Sequence, residues 1–199
     1  MRQTLKFLLN WIVVTLLFEI VIIYWLYQYK IATFGTNDDA LISSIYNGYF
    51  GDQYQNYLIF VQPLIAIFLR IFQNIFGNAN LYSHFLLFTS IISSSSIFAH
   101  LILNKNKWAK SLTIVLFSLF SLTFITWFSI NPTYTGASLF AVGASGIHFL
   151  SSIKETNRSY KIFVTIIGSS FLSLGFLIRK ESLFVFAILF IPLFIYLFI

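Results

Sequence analysis

Residues 7–27 read FLLNWIVVTLLFEIVIIYWLY, an apolar run interrupted only by Asn10, Thr15 and Glu19. An α-helix rises about 1.5 Å per residue, so a helix of this length crosses the roughly 30 Å of hydrocarbon in a bilayer. The run is too long for the apolar region of a signal peptide, and no small-residue cleavage site follows it. We therefore interpret it as a membrane-spanning helix. Because an ionisable group is costly at that depth, Glu19 is expected to be paired or protonated.

Five further apolar runs have the length, or nearly the length, that a bilayer crossing needs. They cover residues 85–103, 112–130, 137–150, 162–178 and 183–199. The composition agrees, since 58% of the residues are hydrophobic and 9% are charged, whereas a soluble domain has about 25% charged residues. The fold class predicted for residues 1–199 is therefore all-α: a single polytopic transmembrane helical bundle with about six spans.

A seventh apolar run, residues 60–76, is predicted to lie along the membrane as an interfacial helix. Its polar residues Gln62, Arg70 and Gln73 share one face of a helix, and an apolar helix with one narrow polar stripe suits the membrane interface. The positive-inside rule favours this placement. With six spans and a cytoplasmic N-terminus, eight Lys and Arg residues lie inside and four outside. If the run also crosses, with the N-terminus outside, seven Lys and Arg residues lie inside and four outside. This charge difference is almost as large, so a crossing is the alternative.

The large first extracytoplasmic loop of this topology, residues 28–84, contains an adjacent acidic pair, Asp38 and Asp39. Two like charges side by side are costly in a partly dry site unless a cation or hydrogen bonds compensate them. One of the two could then serve as a general base. The other interpretation is that Asn37 and the acidic pair simply cap a following helix, Ala40–Tyr46. The local sequence leaves both interpretations open and favours capping.

A second candidate group, Arg179-Lys180-Glu181, lies at the predicted outer end of the fifth span. The positive-inside rule would not place two cations there. A phosphate or pyrophosphate presented by a lipid at that interface would need such partners, and Arg can bind it with a bidentate fork. Snorkelling of long side chains at a helix end explains the same residues equally well.

Other chemistries have little support in the sequence. The chain has no Cys, which excludes disulfides and thiolate metal sites. Its three His residues, His84, His100 and His148, show no metal-ligand spacing. The formal net charge of +6 comes from cations in short clusters between apolar runs, a distribution typical of membrane topology. We therefore predict no nucleic-acid partner and no histidine or thiolate metal site.

Several short motifs follow one another along the chain. They are Asp38-Asp39, Asn47-Gly48-Tyr49-Phe50-Gly51, Gln62-Pro63-Leu64, Ile75-Phe76-Gly77-Asn78, Thr133-Tyr134-Thr135-Gly136 and Ile178-Arg179-Lys180-Glu181-Ser182. In this order they resemble the N-terminal part of the GT-C superfamily, multispanning glycosyltransferases that use polyprenyl-phosphate-linked sugars. Members of that superfamily have a cytoplasmic N-terminus and one span. An extracytoplasmic loop follows, with an acidic motif near its start and juxtamembrane helices after it.

The resemblance implies that Asp38 and Asp39 are catalytic, and it leaves open a divalent cation bound by the pair. It also implies a substrate-binding role for residues of the interfacial helix and the later motifs: Gln62, Arg70, Tyr134, Arg179, Lys180 and Glu181. The donor would be a sugar linked to polyprenyl phosphate, a lipid of the membrane. The acceptor would be a cell-envelope glycan, lipid or protein. Because GT-C enzymes are usually longer, the chain is expected to be the N-terminal part of a longer protein.

The composition also bears on location, and two other function classes stay open. Abundant Ile, Phe, Asn, Lys and Tyr suggest an AT-rich bacterial genome, hence a multi-pass protein of the plasma membrane.

A transporter or flippase for a lipid-linked saccharide would use Glu19 as a relay inside the membrane. A non-catalytic membrane assembly protein would need neither Glu19 nor Asp38.

Overall fold

The computed structural model describes residues 2–29, 37–48, 61–76, 81–103 and 106–198. Within these ranges the chain consists of helices and the turns between them, with no strand. The predicted all-α class is therefore confirmed for the part of the chain that the structure describes.

The helices, numbered along the chain, coincide with the predicted apolar runs, except for α2. They are α1 (Arg2–Tyr29), α2 (Asn37–Tyr46), α3 (Pro63–Phe76), α4 (Leu81–Ile102), α5 (Lys107–Phe120), α6 (Thr126–Ile130), α7 (Tyr134–Lys154), α8 (Arg158–Ile178) and α9 (Ser182–Phe198). A π-helical turn, Ser121–Ile125, joins α5 to α6, so that the predicted span 112–130 is one nearly continuous helix. Such turns are inserted without breaking a helix.

Three of the described helices, α4, α7 and α8, are long and apolar enough to cross a membrane. They correspond to the predicted spans 85–103, 137–150 and 162–178. Within the described ranges, α3 and α9 are apolar but shorter. The fold is thus consistent with a helical membrane bundle, whereas the total of about six crossings stays a prediction.

The outer surface of the bundle carries many large apolar side chains. On α9, for example, Phe184 and Ile188 are 71% and 73% exposed. Contiguous apolar surface of this kind is rare on a soluble monomer, because water would drive it into association. Lipid chains cover such a surface and so remove the unfavourable contact of its apolar side chains with water. The exposed surface therefore supports the membrane environment that the composition predicts.

The centre of the bundle is formed by α4 and α7. α4 packs against α1, α3, α5 and α7, while α7 also packs against α8 and α9. α7 packs extensively against α8, where small residues let the two backbones approach. A Cβ built on Gly175 of α8 would lie only 2.8 Å from a methyl carbon of Val142 on α7.

Side-chain caps explain where three of the helices begin. Asn106 accepts a hydrogen bond from the Ala109 backbone N–H at 2.8 Å before α5. Thr133 accepts one from Gly136 at 3.0 Å before α7, and Asn157 accepts one from Tyr160 at 3.1 Å before α8. Each cap satisfies one of the N–H groups that a helix start leaves without an intrahelical partner.

The predicted loop 28–84 is more helical than the sequence indicated. α2 begins at Asn37 and not at Ala40, so both acidic residues belong to its first turn. Negative charge there compensates the positive end of the helix dipole. α4 begins at Leu81, which places the last residues of the predicted loop in a helix.

The apolar run 60–76 is helical from Pro63 to Phe76, as α3, and its interfacial position stays a prediction. One face of α3, with Ile65, Ala66 and Leu69, is buried against the rest of the protein. The opposite face exposes large apolar side chains: Leu64, Ile67, Phe68, Ile71, Phe72 and Ile75. This two-sided arrangement fits a helix that packs on the bundle and turns its other face to lipid.

Candidate functional site

The acidic pair divides into one exposed and one buried carboxylate. Successive residues of a helix point about 100° apart, so two neighbours cannot both face the same partner. Asp38 is exposed, whereas Asp39 is fully buried, with 0% of its surface accessible. The two predicted catalytic residues therefore have different surroundings, and Asp38 is the one open to a solute.

Asp39 holds three helices together. Its Oδ1 atom accepts a hydrogen bond from the backbone N–H of Tyr134 at 2.8 Å and a longer one, 3.4 Å, from the hydroxyl of Tyr82. Tyr134 is the first residue of α7, where the helix dipole favours a negative charge. A carboxylate removed from water is stabilised when such donors replace its hydration. Asp39 thus fixes α2 to the starts of α4 and α7.

Arg179 follows the last residue of α8 and reaches the same turn of α7. Its guanidinium carbon lies 5.3 Å from the ring centroid of Tyr134, within the range of a cation–π interaction. One of its terminal nitrogens donates a hydrogen bond to the hydroxyl of Thr135. The Nε atom lies 3.6 Å from a carboxylate oxygen of Glu181, and the two side chains are 33% and 46% exposed. Arg179 is therefore held in place yet partly open to solvent.

Tyr134 connects the acidic and basic groups. Its backbone N–H binds Asp39, and its ring lies under Arg179. One residue from each of the two motifs, Asp39 and Arg179, therefore contacts the first turn of α7. We call this group of Asp39, Tyr82, Tyr134, Thr135 and Arg179 the α7 cluster.

The start of α3 is attached to the same end of the bundle. The backbone N–H of Gln62 donates to the carbonyl oxygen of Leu177, in the last turn of α8, at 3.0 Å. Gln62 is half-buried at this junction. Arg70 is exposed and lies about two turns further along α3. The structure therefore brings Gln62 next to the α8 end that carries Arg179, while Arg70 is farther along the helix.

The turn between α8 and α9 carries the remaining predicted residues. Lys180 is exposed and Glu181 is half-buried. Ser182, which follows them, is 2% exposed. Among the described residues its hydroxyl has no hydrogen-bond partner. A buried hydroxyl without a partner is costly, and Ser182 shares this feature with hydroxyls in the bundle such as Ser93 and Ser145.

Tyr82 is the member of the α7 cluster that sequence reasoning missed. It is fully buried and supplies a hydroxyl to Asp39. A Tyr at the start of an apolar run ordinarily indicates a membrane-interface anchor. The sequence therefore carried no signal that would have linked Tyr82 to the acidic pair.

The resemblance left open a divalent cation bound by the acidic pair, and the structure gives the surroundings of both carboxylates. No cluster of three or more His, Asp or Glu residues suitable for a metal occurs within the described ranges. Oδ1 of Asp39 already accepts hydrogen bonds from Tyr134 and Tyr82, whereas Asp38 is exposed. A cation shared by both carboxylates does not fit this geometry.

Some of the predicted features lie outside the described residues. The side chain of Glu19 is one of them, although its backbone belongs to α1. Tyr49, Phe50 and Gly51 of the Gly-containing motif are others, as are Gly77 and Asn78 after α3. Gly48 is described and has φ of 80°, a left-handed conformation that suits glycine at the end of α2.

A second polar group lies deeper in the bundle, among α4, α7 and α8. The hydroxyl of Ser96 and the Nε2 atom of His148 are 2.7 Å apart, and both residues are fully buried. His100 lies next to His148, with ring centroids 5.3 Å apart. Its Nδ1 atom is 3.3 Å from the hydroxyl of Tyr160. The four side chains thus form two hydrogen-bonded pairs, joined by the edge-to-face contact of the two imidazole rings, toward the end of the bundle opposite Asp39.

The chain was compared with protein-family models, with curated proteins and with solved structures, and no match was found in any of the three comparisons. Its resemblance to the GT-C superfamily therefore stays a prediction from the short motifs.

Proposed function

We propose that the protein is a membrane glycosyltransferase of the GT-C type, which moves a sugar from a polyprenyl-phosphate donor to a cell-envelope acceptor at the extracytoplasmic face of the plasma membrane. The observation that carries the proposal is the α7 cluster. An exposed carboxylate, Asp38, lies beside a buried one that is tied to Tyr134, and Arg179 lies over the ring of that tyrosine.

Asp38 is the general base in this proposal. Its carboxylate takes the proton of the acceptor hydroxyl as the acceptor oxygen attacks the anomeric carbon of the sugar. The bond between that carbon and the phosphate oxygen breaks, and polyprenyl phosphate leaves with the bonding electron pair. Asp39 is a positioning residue, since its hydrogen bonds to α4 and α7 fix the turn of α2 that carries Asp38.

Arg179 and Lys180 stabilise the leaving phosphate. Negative charge accumulates on the phosphate oxygens as the sugar–phosphate bond breaks, and fixed cations stabilise that charge. The ring of Tyr134 and the hydroxyl of Thr135 restrict the Arg179 side chain before any ligand arrives. A pre-organised guanidinium loses less conformational entropy on binding than a free one. Gln62, Arg70 and Glu181 would contact the donor or acceptor.

The neighbouring helix α3 suits a lipid-linked donor. Its outward face exposes Leu64, Phe68 and Ile71, and its start is bonded to the last turn of α8. A polyprenyl chain could lie along this apolar face while its phosphate reaches Arg179.

Sugar transfer by membranes that contain the protein tests the proposal. We expect Asp38→Asn to abolish transfer from a labelled polyprenyl-phosphate sugar without lowering the amount of folded protein. Arg179→Lys should retain part of the activity and Arg179→Gln should lose most of it. Unchanged transfer by Asp38→Asn would remove this residue from the mechanism.

The side of the membrane can be tested separately. A cysteine at Asn37 should react with an impermeant reagent in intact cells, because the chain has no other cysteine and the α2 region is expected to face outward. Labelling that needs opened cells would contradict the extracytoplasmic reaction.

The alternative, a transporter or flippase for a lipid-linked saccharide, is supported by a different observation. Ionisable groups inside a membrane bundle commonly mark a pathway, and His148 and His100, with their partners Ser96 and Tyr160, are such groups. Under this alternative, Glu19→Gln and His148→Gln would abolish the movement of substrate while Asp38→Asn would not. A non-catalytic assembly protein would tolerate Glu19→Gln and Asp38→Asn.

A further inference from the structure

A basic cavity lies at the end of the bundle opposite the α7 cluster. It is formed where α1 begins, α4 ends and α5 begins, and its volume is about 650 Å³. Its polar lining consists of Arg2, Gln3, Lys6 and Asn10 from α1 and Lys110 from α5. The apolar end of α4 completes the wall. We call this the basic cavity.

The charge of the basic cavity has one sign. Three of its lining residues, Arg2, Lys6 and Lys110, are cations, and no Asp or Glu is among the described residues that line it. Arg2, Lys6 and Asn10 follow one another at four-residue intervals, which places them on one face of α1. Like charges so close together repel one another. An anion between them would relieve that repulsion.

The starts of helices α1 and α5 also favour an anion in the basic cavity. α1 and α5 both begin beside the basic cavity, and neither has an acidic residue in its first turn. The positive end of a helix dipole is normally compensated by acidic side chains. Here Arg2 and Lys110 add positive charge at the two helix ends instead. A bound phosphate would compensate the cations and the dipoles together.

The surroundings of the basic cavity indicate a lipid as the source of that phosphate. Leu5 and Leu9 on α1 are more than half exposed, at 56% and 53%, beside the cationic face. Trp108 on α5 is 76% exposed, and Trp is typical of the membrane–water interface. A free anion would make no use of these apolar groups, whereas the acyl chains of a phospholipid would cover them.

We propose that the basic cavity binds the headgroup of an anionic phospholipid from the leaflet that surrounds the start of α1. The phosphate would lie between Lys6 and Lys110, with Arg2 beside it and the amides of Gln3 and Asn10 available as donors. The acyl chains would run along Leu5 and Leu9. This inference does not depend on the proposed sugar transfer.

Native mass spectrometry of the detergent-solubilised chain, titrated with single lipids, tests the inference. Cardiolipin and phosphatidylglycerol should bind at least about tenfold more tightly than phosphatidylcholine. The double variant Lys6→Gln/Lys110→Gln should lose at least about tenfold in affinity for the anionic lipids. The matched control, Arg158→Gln/Lys161→Gln, removes the same charge from exposed positions at the same end of the bundle but outside the basic cavity. It should retain the affinity to within about twofold.

Two results would overturn the inference. Equal losses in both double variants would show that lipids respond to the overall surface charge and not to the basic cavity. Inorganic phosphate could also bind the protein without lipid and, when added to the lipid-bound protein, displace cardiolipin. That result would identify a site for a free anion. Circular dichroism and gel filtration check that each variant is folded. The single variants Lys6→Gln and Lys110→Gln, each expected to give a smaller loss of the same sign, serve if the double variant does not fold.

Discussion

Replacement of Asp39 by alanine would remove the acceptor that joins α2, α4 and α7. The backbone N–H of Tyr134, 2.8 Å from the carboxylate, and the hydroxyl of Tyr82, 3.4 Å from it, would both lose this partner in a fully buried position. A buried donor left unsatisfied costs about 1–3 kcal/mol. The Tyr82 contact is at the long limit of a hydrogen bond and contributes less. We therefore expect Asp39→Ala to lower the free energy of unfolding by about 2–4 kcal/mol.

Asp39→Asn separates the effect of the acceptor from that of the charge. Asparagine keeps an oxygen at the Oδ1 position but loses the negative charge at the start of α7. The charge–dipole interaction accounts for about 1 kcal/mol. Asp39→Asn should therefore be destabilising by about that amount, clearly less than Asp39→Ala.

The measurement is an SDS titration of the protein in mixed micelles, followed by tryptophan fluorescence from its four Trp residues. Asp38→Ala is the matched control, because it removes the same side chain from the exposed neighbouring position. If Asp39→Ala shifts the unfolding midpoint no more than Asp38→Ala does, the Asp39 carboxylate does not join the three helices. If Asp39→Asn is as destabilising as Asp39→Ala, the charge and not the hydrogen-bond acceptor holds the three helices together.

The same titration tests three further substitutions. Gly175→Ala should be destabilising by about 1–3 kcal/mol, because the added carbon would lie 2.8 Å from an α7 methyl group. Gly143→Ala, with no atom within 4 Å of the added carbon, is its control, and equal stability of the two variants would contradict the close packing of α7 and α8. Ser96→Ala should be destabilising by about 1–3 kcal/mol because it leaves the buried His148 Nε2 atom without this partner; an unchanged midpoint would argue against that bond. Asn157→Ala should be destabilising by about 1 kcal/mol through loss of the α8 cap, whereas Asn157→Asp, which keeps an acceptor, should not.

The predicted helices follow from local properties of the sequence. Apolar runs long enough for a membrane span were recognised as helices because length and hydropathy are properties of one segment. The beginning of a helix was predicted less well. α2 starts at Asn37, earlier than expected, because Asp38 and Asp39 are as favourable in the first helical turn as before it.

The candidate site was predicted only in outline. The sequence identified Asp39 and Arg179 as members of two separate motifs but gave no distance between them. It also gave no reason to treat Asp38 and Asp39 differently, and it did not identify Tyr82. These features depend on which face of α2 turns inward and on how α4, α7 and α8 pack, and no local pattern contains that information.

The sequence by itself determined the helical class, the lipid-compatible surface and the positions of the apolar segments, because each depends on residues that are neighbours along the chain. Only the tertiary structure decided that Asp39 is buried while Asp38 is exposed, and that Arg179 lies over the ring of Tyr134. It also decided that Lys6 and Lys110 line one cavity. The physical reason is that these contacts join residues from different helices, and their geometry is fixed by the packing of whole helices against one another.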